Sequence, residues 1–294
     1  MINWRIGLST GCFYNQNIVE CLPRIRESGF DTIEVCSSPT HLDFHDQKAV
    51  QRAAAAIKEL HLEAYSLHAP FAPQIDISSN DATRRSDSVR EILRAAEAAA
   101  SLNAHYFVIH PGPENPPAPR VEEELSHIQH VIDSLEQIAK RCRELGTICV
   151  IENKLPHLVF GNTAEILWIL DGIKEVEIGA CLDTGHAFLS GNMFDLVQKL
   201  HSRLKMVHAH DTGGTHDDHW PPGEGKVDWT RLFQSLVEIE FHGAFILELA
   251  GSHNPETTMT NARRGRHYLR QLGRTLTTRG RATDSKSRPQ AQPR

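Results

Sequence analysis

Residues 206–225, MVHAHDTGGTHDDHWPPGEG, set His208, His210, His216 and His219 among Asp211, Asp217 and Asp218. Imidazole and carboxylate together are the donor set of zinc, manganese, iron or cobalt. A solvated loop of odd composition would read the same way, so the rest of the chain has to decide. Ligand-type residues recur at the ends of short β-rich runs. They are His68 in EAYSLHA, His110 in HYFVIHP, Glu152 in TICVIEN, Asp183 in IGACLDT, His208 in LKMVHAH and Glu248 in AFILELA.

These six runs follow two others, RIGLST and DTIEVC, and all eight alternate with amphipathic or Ala-rich stretches. The helical stretches are 17–28, 46–61, 82–102, 121–145, 163–173, 193–202, 229–240 and 255–272. Strict alternation predicts parallel pairing through helical crossovers, an α/β protein. Eight units in 294 residues predict a closed (β/α)8 TIM barrel. No G-x-G-x-x-G follows the first strand, which removes the main support for an open doubly wound sheet. Asn162 with Glu165 suggests a capping box, and Asp228 an N-cap. Leu125, Ile128, Ile132, Leu135, Ile138 and Ala139 form an apolar stripe on the fourth helix. Residues 110–120, HPGPENPPAPR, read as an extended loop. The barrel is assigned to 1–272 as one domain, and 273–294 to a flexible basic tail.

Alternate strand residues share a face, so each ionisable residue lies at or near the C-terminal end of its strand, where a barrel keeps its active site. Closure would bring six strand ends into one ring. Carboxylates crowded there repel one another and suffer from burial unless a cation sits among them. One strand-end histidine is more often a hydrogen-bonded structural residue; six ligand-type ends in succession call for a metal. Most other histidines, His41, His61, His127, His130 and His242 among them, read as surface or structural. Lys154 reads as an exposed lysine and the glycines of DTGGT as a flexible turn, rather than as phosphate contacts. Trp4, Phe13, Phe71 and Trp220 are candidates for apolar walls.

Hydrophobic residues make up 40% of the chain, enough for one large core. Formal net charge is −6, but residues 273–294 contribute +5 and leave −11 on residues 1–272. So acidic a body disfavours a nucleic-acid partner. No apolar run is long enough to cross a bilayer, and MINWRIGLST lacks a secretory pattern. Six cysteines without a CxxC pair read as reduced thiols, and the expected location is cytoplasmic. The sequence is compatible with a homo-oligomer.

The runs HAPF, VIHPG, VIEN, CLDTGHAF, VHAHD, DDHWPPGEGKVDW and ILEL, in this order, resemble the xylose-isomerase-like TIM barrels. These are sugar-phosphate isomerases and epimerases, with endonuclease-IV-type (AP endonuclease family 2) enzymes as cousins. The resemblance spans residues 1 to about 272. It implies a metal on Glu152, Asp183, His208 and Glu248, as in the single-metal epimerases. The endonuclease branch adds His68, His110, His186, Asp217 and His219, enough for three ions. One to three zinc, manganese or cobalt ions are therefore expected. Two departures stand out. NKLPHLVFGN follows Glu152 in place of a Gly-rich turn of the DNA-cleaving branch, and no arginine follows VHAHD where ketose 3-epimerases place a substrate contact.

The implied activity is isomerisation or epimerisation of a small carbohydrate, phosphorylated or not, through an enediolate. Glu152 and Glu248 would move the proton and His186 would orient or protonate a substrate oxygen. The alternatives are metal-assisted hydrolysis at an abasic DNA site and a barrel that binds without chemistry.

Overall fold

Eight parallel strands pair in chain order and close on themselves. They are β1 (Ile6–Ser9), β2 (Thr32–Cys36), β3 (Glu63–His68), β4 (Tyr106–Ile109), β5 (Ile148–Glu152), β6 (Gly179–Asp183), β7 (Leu204–Ala209) and β8 (Ala244–Leu247). Closure is made by Ile6, Gly7 and Leu8 beside Phe245, Ile246 and Leu247. The structure, a computed structural model, describes residues 4–116 and 121–286, except the side chains of 121–124 and 277–286. The helices are α1 (Ile18–Glu27), α2 (Gln47–Glu59), α3 (Ala82–Ser101), α4 (Val121–Glu144), α5 (Thr163–Gly172), α6 (Thr184–Leu189), α7 (Met193–Leu200), α8 (Trp229–Glu238) and α9 (Pro255–Lys286). None of the described helices is long and apolar enough to cross a membrane.

The expected alternation is present, with local differences. Between β6 and β7 the chain forms two helices, not one, because Asp183 ends the strand and at once caps α6 by accepting from His186 N at 2.7 Å. The last helix runs on to Lys286 instead of stopping at 272, and residues 287–294 lie outside the described residues. Of the expected stripe on α4, Leu125 is exposed, while Ile128 through Ala139 face the core. The α5 capping box and the Asp228 cap both form.

Two apolar layers hold the mouth in place. The larger packs helices on the outside of the strands. The smaller fills the lumen with Tyr65, Val108, Val150, Cys181, Met206, Ala244 and Ile246. The register between β2 and β3 slips after Ile33, so Glu34 pairs with Ser66 and not with Tyr65. The slip lets Tyr65 join the lower plug, where its hydroxyl donates to Lys205 O at 3.2 Å, and puts Glu34 beside Ser66 higher up. Trp4 packs at the closed end against Phe233, Phe241 and Phe245, so it is no wall of the mouth. Phe13 is buried core.

The loop after β7 is folded around one carboxylate. Asp211, fully buried, accepts from Thr212 N, Gly223 N, Val227 N and the Trp229 indole at 2.8–3.0 Å. Its backbone exchanges two hydrogen bonds with Trp220. A Cβ on residue 225 would lie 2.3 Å from Asp211 Oδ1, which accounts for the second glycine of GEG. The run GEGKVDW is thus a brace under Asp217 and His219. Replacing Asp211 with Ala would strand three buried donors and the more exposed Gly223 N–H, so we expect a loss of about 3 kcal/mol. A denaturant midpoint within error of the parent, with no faster proteolysis in 212–227, would refute this.

Candidate metal centre

Three groups of ligand-type side chains converge at the C-terminal end of the barrel. They are His68, Glu152 and His208; Glu152, Asp183, His208 and Glu248; and His186, Asp217 and His219. Within each group one atom per residue lies within 4.8 Å of the others. Eight of the nine residues expected from sequence fall in these groups. The ninth, His110, stands beside them with Nε2 3.4 Å from Glu152 Oε2.

Each of five imidazoles ties one nitrogen to a protein oxygen and turns the other inward. Nδ1 donates from His68 to Ala69 O (2.8 Å), from His186 to Asn153 O (2.9 Å) and from His219 to Glu248 O (2.9 Å). His110 Nδ1 donates to Glu114 at 2.8 Å, and His208 uses Nε2 to reach Glu34 at 2.9 Å. The inward nitrogens of His68 and His208 face Glu152 at 3.1 and 3.2 Å; those of His186 and His219 face Asp217 at 3.3 and 3.0 Å. Metal-bound histidines are oriented in this way, with the outer nitrogen held by a carboxylate or carbonyl.

A cation fits the donor set on a second ground. His208 Nδ1 is buried without a hydrogen-bond partner, although Glu152 and Glu248 oxygens lie 3.2 and 3.3 Å away. Asp217 Oδ1 is buried and unpartnered as well. Buried polar atoms are nearly always hydrogen-bonded, so unpaired ligand-type atoms beside both Glu152 and His219 mark places where an ion could complete the contacts.

Without an ion, the imidazoles carry the compensating charge. Burial opposes protonation of His68, but the hydrogen bond and charge of Glu152 lift it to about 9. Burial likewise opposes the charges of Asp183 and Asp217 at His186, which still rises to about 10. At His219, burial is outweighed by Asp217 and Glu248, and the ring reaches about 9. Burial would raise Glu152 and Glu248, yet the charge of His208 holds both well below the usual carboxylate range.

Three residues outside the expected ligand set complete the centre. Glu34 is fully buried and accepts from Ser9 Oγ, Ser66 Oγ and His208 Nε2 at 3.2, 2.8 and 2.9 Å. A carboxylate in the middle of the apolar run TIEVC was the available signal. His210 donates from Nε2 to both oxygens of Asp183, at 3.0 and 2.8 Å, and stacks on His219 with centroids 3.9 Å apart. Lys154, expected to be exposed, is buried: its ammonium reaches Gly112 O, Pro113 O and Glu114 at 3.0, 2.5 and 3.1 Å. The turn at Gly213 and Gly214 is held by Asp218 and Thr212 side chains. His41, read as structural, bonds Gln16 O and Thr10 from within the core.

Eight parallel strands closed in this way, with ligand-type side chains at the C-terminal rim, define a TIM barrel. The chain belongs to the xylose isomerase-like TIM barrel family, whose sequence model matches residues 22–272. It is 27% identical over 259 residues to an uncharacterised protein of Methanocaldococcus jannaschii, covering 84% of each chain. It is 24% identical over 240 residues to the fructoselysine 3-epimerase of Escherichia coli O157:H7, covering 76% of this chain and 82% of that one. With a probable endonuclease 4 of Aquifex aeolicus it shares 26% identity over 193 residues, 60% of this chain and 66% of that one. Among solved structures it is similar to a D-tagatose 3-epimerase-like protein (TM-score 0.80, 22% identity, 94% and 99% covered). It is also similar to an L-ribulose 3-epimerase (TM-score 0.81, 17% identity, 98% and 100% covered).

Because His68, His186 and His219 titrate well above neutrality, zinc binding at pH 7 should expel protons from the protein. Calorimetric titration in buffers of different ionisation enthalpy should report about two or more protons released per chain. A heat independent of buffer would contradict this. Glu34→Gln, which replaces the carboxylate behind His208, should weaken zinc binding ~10–100-fold while the fold is retained. Unchanged affinity in a competition assay with a chromophoric chelator would show that Glu34 does not orient the ring.

Proposed function

We propose that the protein is a divalent-metal-dependent isomerase or epimerase of a small carbohydrate that moves a proton at a carbon next to a carbonyl. The observation that carries this reading is the pair Glu152 and Glu248. Their carboxylates reach the same nitrogen of His208 from β5 and β8, one deeply buried and the other 24% exposed toward the mouth. The epimerases among the relatives support it. Glu152, Asp183, His208 and Glu248 would hold the ion, and zinc, manganese or cobalt suits that donor set. A bound divalent ion would neutralise the charge that develops on the substrate oxygens.

The chain's own residues do the rest. Glu152 and Glu248 are both held ionised by His208, the condition for a carboxylate to accept a proton. One takes the proton from carbon and passes it to solvent; the other takes up a solvent proton and delivers it to the opposite face or to the neighbouring carbon. His186, fixed by Asn153 O, directs Nε2 toward Asp217 and the open end, where it can orient or protonate a substrate oxygen. Phe71 packs on His68 and His110 at 5.1 and 4.9 Å while remaining half-exposed, and offers one apolar wall. Trp220, 41% exposed on the loop after β7, is the second candidate for such a wall.

The His186, Asp217 and His219 group favours a second reading, hydrolysis at abasic sites in DNA by a centre of up to three ions. The two readings part on products. With the first, solvent deuterium enters a ketose next to its carbonyl, and Glu152→Gln and Glu248→Gln each lower kcat by ~10²–10⁴-fold. Nicking of an abasic duplex, with no deuterium entering any ketose, would establish the second instead.

A further inference from the structure

We propose that the sugar taken by this mouth is uncharged, an unphosphorylated polyhydroxy ketone and not a phosphate ester. The proposal rests on the isomerase reading and narrows it. Barrels that hold a phosphate at this end do so with free amides of helix N-termini, with glycine turns whose N–H groups point at the anion, and with arginine or lysine. Among the described residues, the protein's own side chains already occupy most of these devices; α7, whose first turn has no side-chain cap, is the exception.

The first turns of α2, α3, α6 and α8 are capped by carboxylates. Asp46 accepts from Lys48 N, Asp81 from Thr83 N and Arg84 N, Asp183 from His186 N, and Asp228 from Arg231 N, all at 2.7–3.2 Å. The glycine turn after β7 is filled in the same way: Gly213 N donates to Asp218 Oδ2 at 2.7 Å and Gly214 N to Thr212 Oγ1 at 3.0 Å. An incoming phosphate would have to displace a bound carboxylate, or at Gly214 the Thr212 hydroxyl, to use these amides.

Charge points the same way. The described residues of the loops that lead from strands to helices carry two lysines, Lys154 and Lys226, against eleven Asp or Glu; Arg120 lies outside the described residues. Lys154 is already bonded to two carbonyls and Glu114. Arg84, on the first turn of α3, is turned onto Pro73 O at 2.7 Å. Lys226 alone keeps an ammonium without a partner among the described residues of these loops. The net negative charge of these loops repels a dianion. Their carboxylates suit sugar hydroxyls, each of which brings a donor.

The test uses the metal-loaded full chain and pairs of ketoses, each free and as its terminal phosphate. Deuterium incorporation from heavy water reports turnover, and saturation-transfer NMR reports binding whether or not turnover occurs. We expect a free ketose to be preferred over its ester by ~10-fold or more in kcat/KM, little changed by Lys226→Ala. Preference for the ester in either readout would overturn the proposal, and its loss in Lys226→Ala would place the phosphate on that residue. If free ketoses bind better than esters but deuterium enters neither, uncharged selection stands and the isomerase reading falls.

Discussion

The centre depends on an arrangement that lies one bond behind the converging atoms. Five imidazoles are each anchored through one nitrogen, three to backbone carbonyls and two to carboxylates, and this alone decides which nitrogen faces the interior. Free rotation about the side-chain torsions would scatter those nitrogens and cost entropy on ordering. Anchored in advance, they meet Glu152 and Asp217 without further choice. Because Ala69, Asn153 and the Glu248 carbonyl belong to the backbone at the ends of strands, the site is as rigid as the barrel that carries it.

The barrel contributes in two further ways. Its lower lumen is filled by apolar side chains, which offer the buried charges above no polar partner, so those charges must satisfy one another. The slip between β2 and β3 then sets Glu34 above that layer, where two serine hydroxyls and His208 supply three donors. Strain is accepted at the rim. His219 is held at φ +50°, in the left-handed region, and the two backbone hydrogen bonds between Asp211 and Trp220 fix the neighbouring residue.

Much of this was legible in the chain because it follows from period and order. Alternation of strand and helix specifies a closed barrel, and parity specifies which strand ends face inward, so His68, His110, Glu152, Asp183, His208 and Glu248 could be placed from spacing alone. Parity failed where the register slips: Tyr65 sits with the lumen layer although alternation counted back from His68 would turn it to the outer face, and a bulge leaves no mark in a hydrophobic pattern. Lys154 was misjudged because the carbonyls of Gly112 and Pro113, brought to it from another strand's loop, have no signature in sequence. Trp4 was misplaced because its position before β1 puts it at the closed end, among Phe233, Phe241 and Phe245.

The run DTGH shows how a short motif encodes several of these constraints together. Asp183 ends β6 and caps α6, and its two oxygens take the Nε2 of His210. Thr184 places its hydroxyl on the carbonyls of His208 and His210, locking β6 to the end of β7 at 3.1 and 2.7 Å. A Cβ at residue 185 would stand 2.1 Å from the His210 ring, so only glycine lets that ring slide in behind Asp183. His186, one helical turn on, then projects toward Asp217, and His210 stacks on His219. Asp183 belongs to the Glu152 group, whereas His186 and His219 belong to the Asp217 group. The four residues therefore bind the two groups into one polar network, in which Asp183 cannot turn toward one without altering its hold on the His210 ring that supports the other.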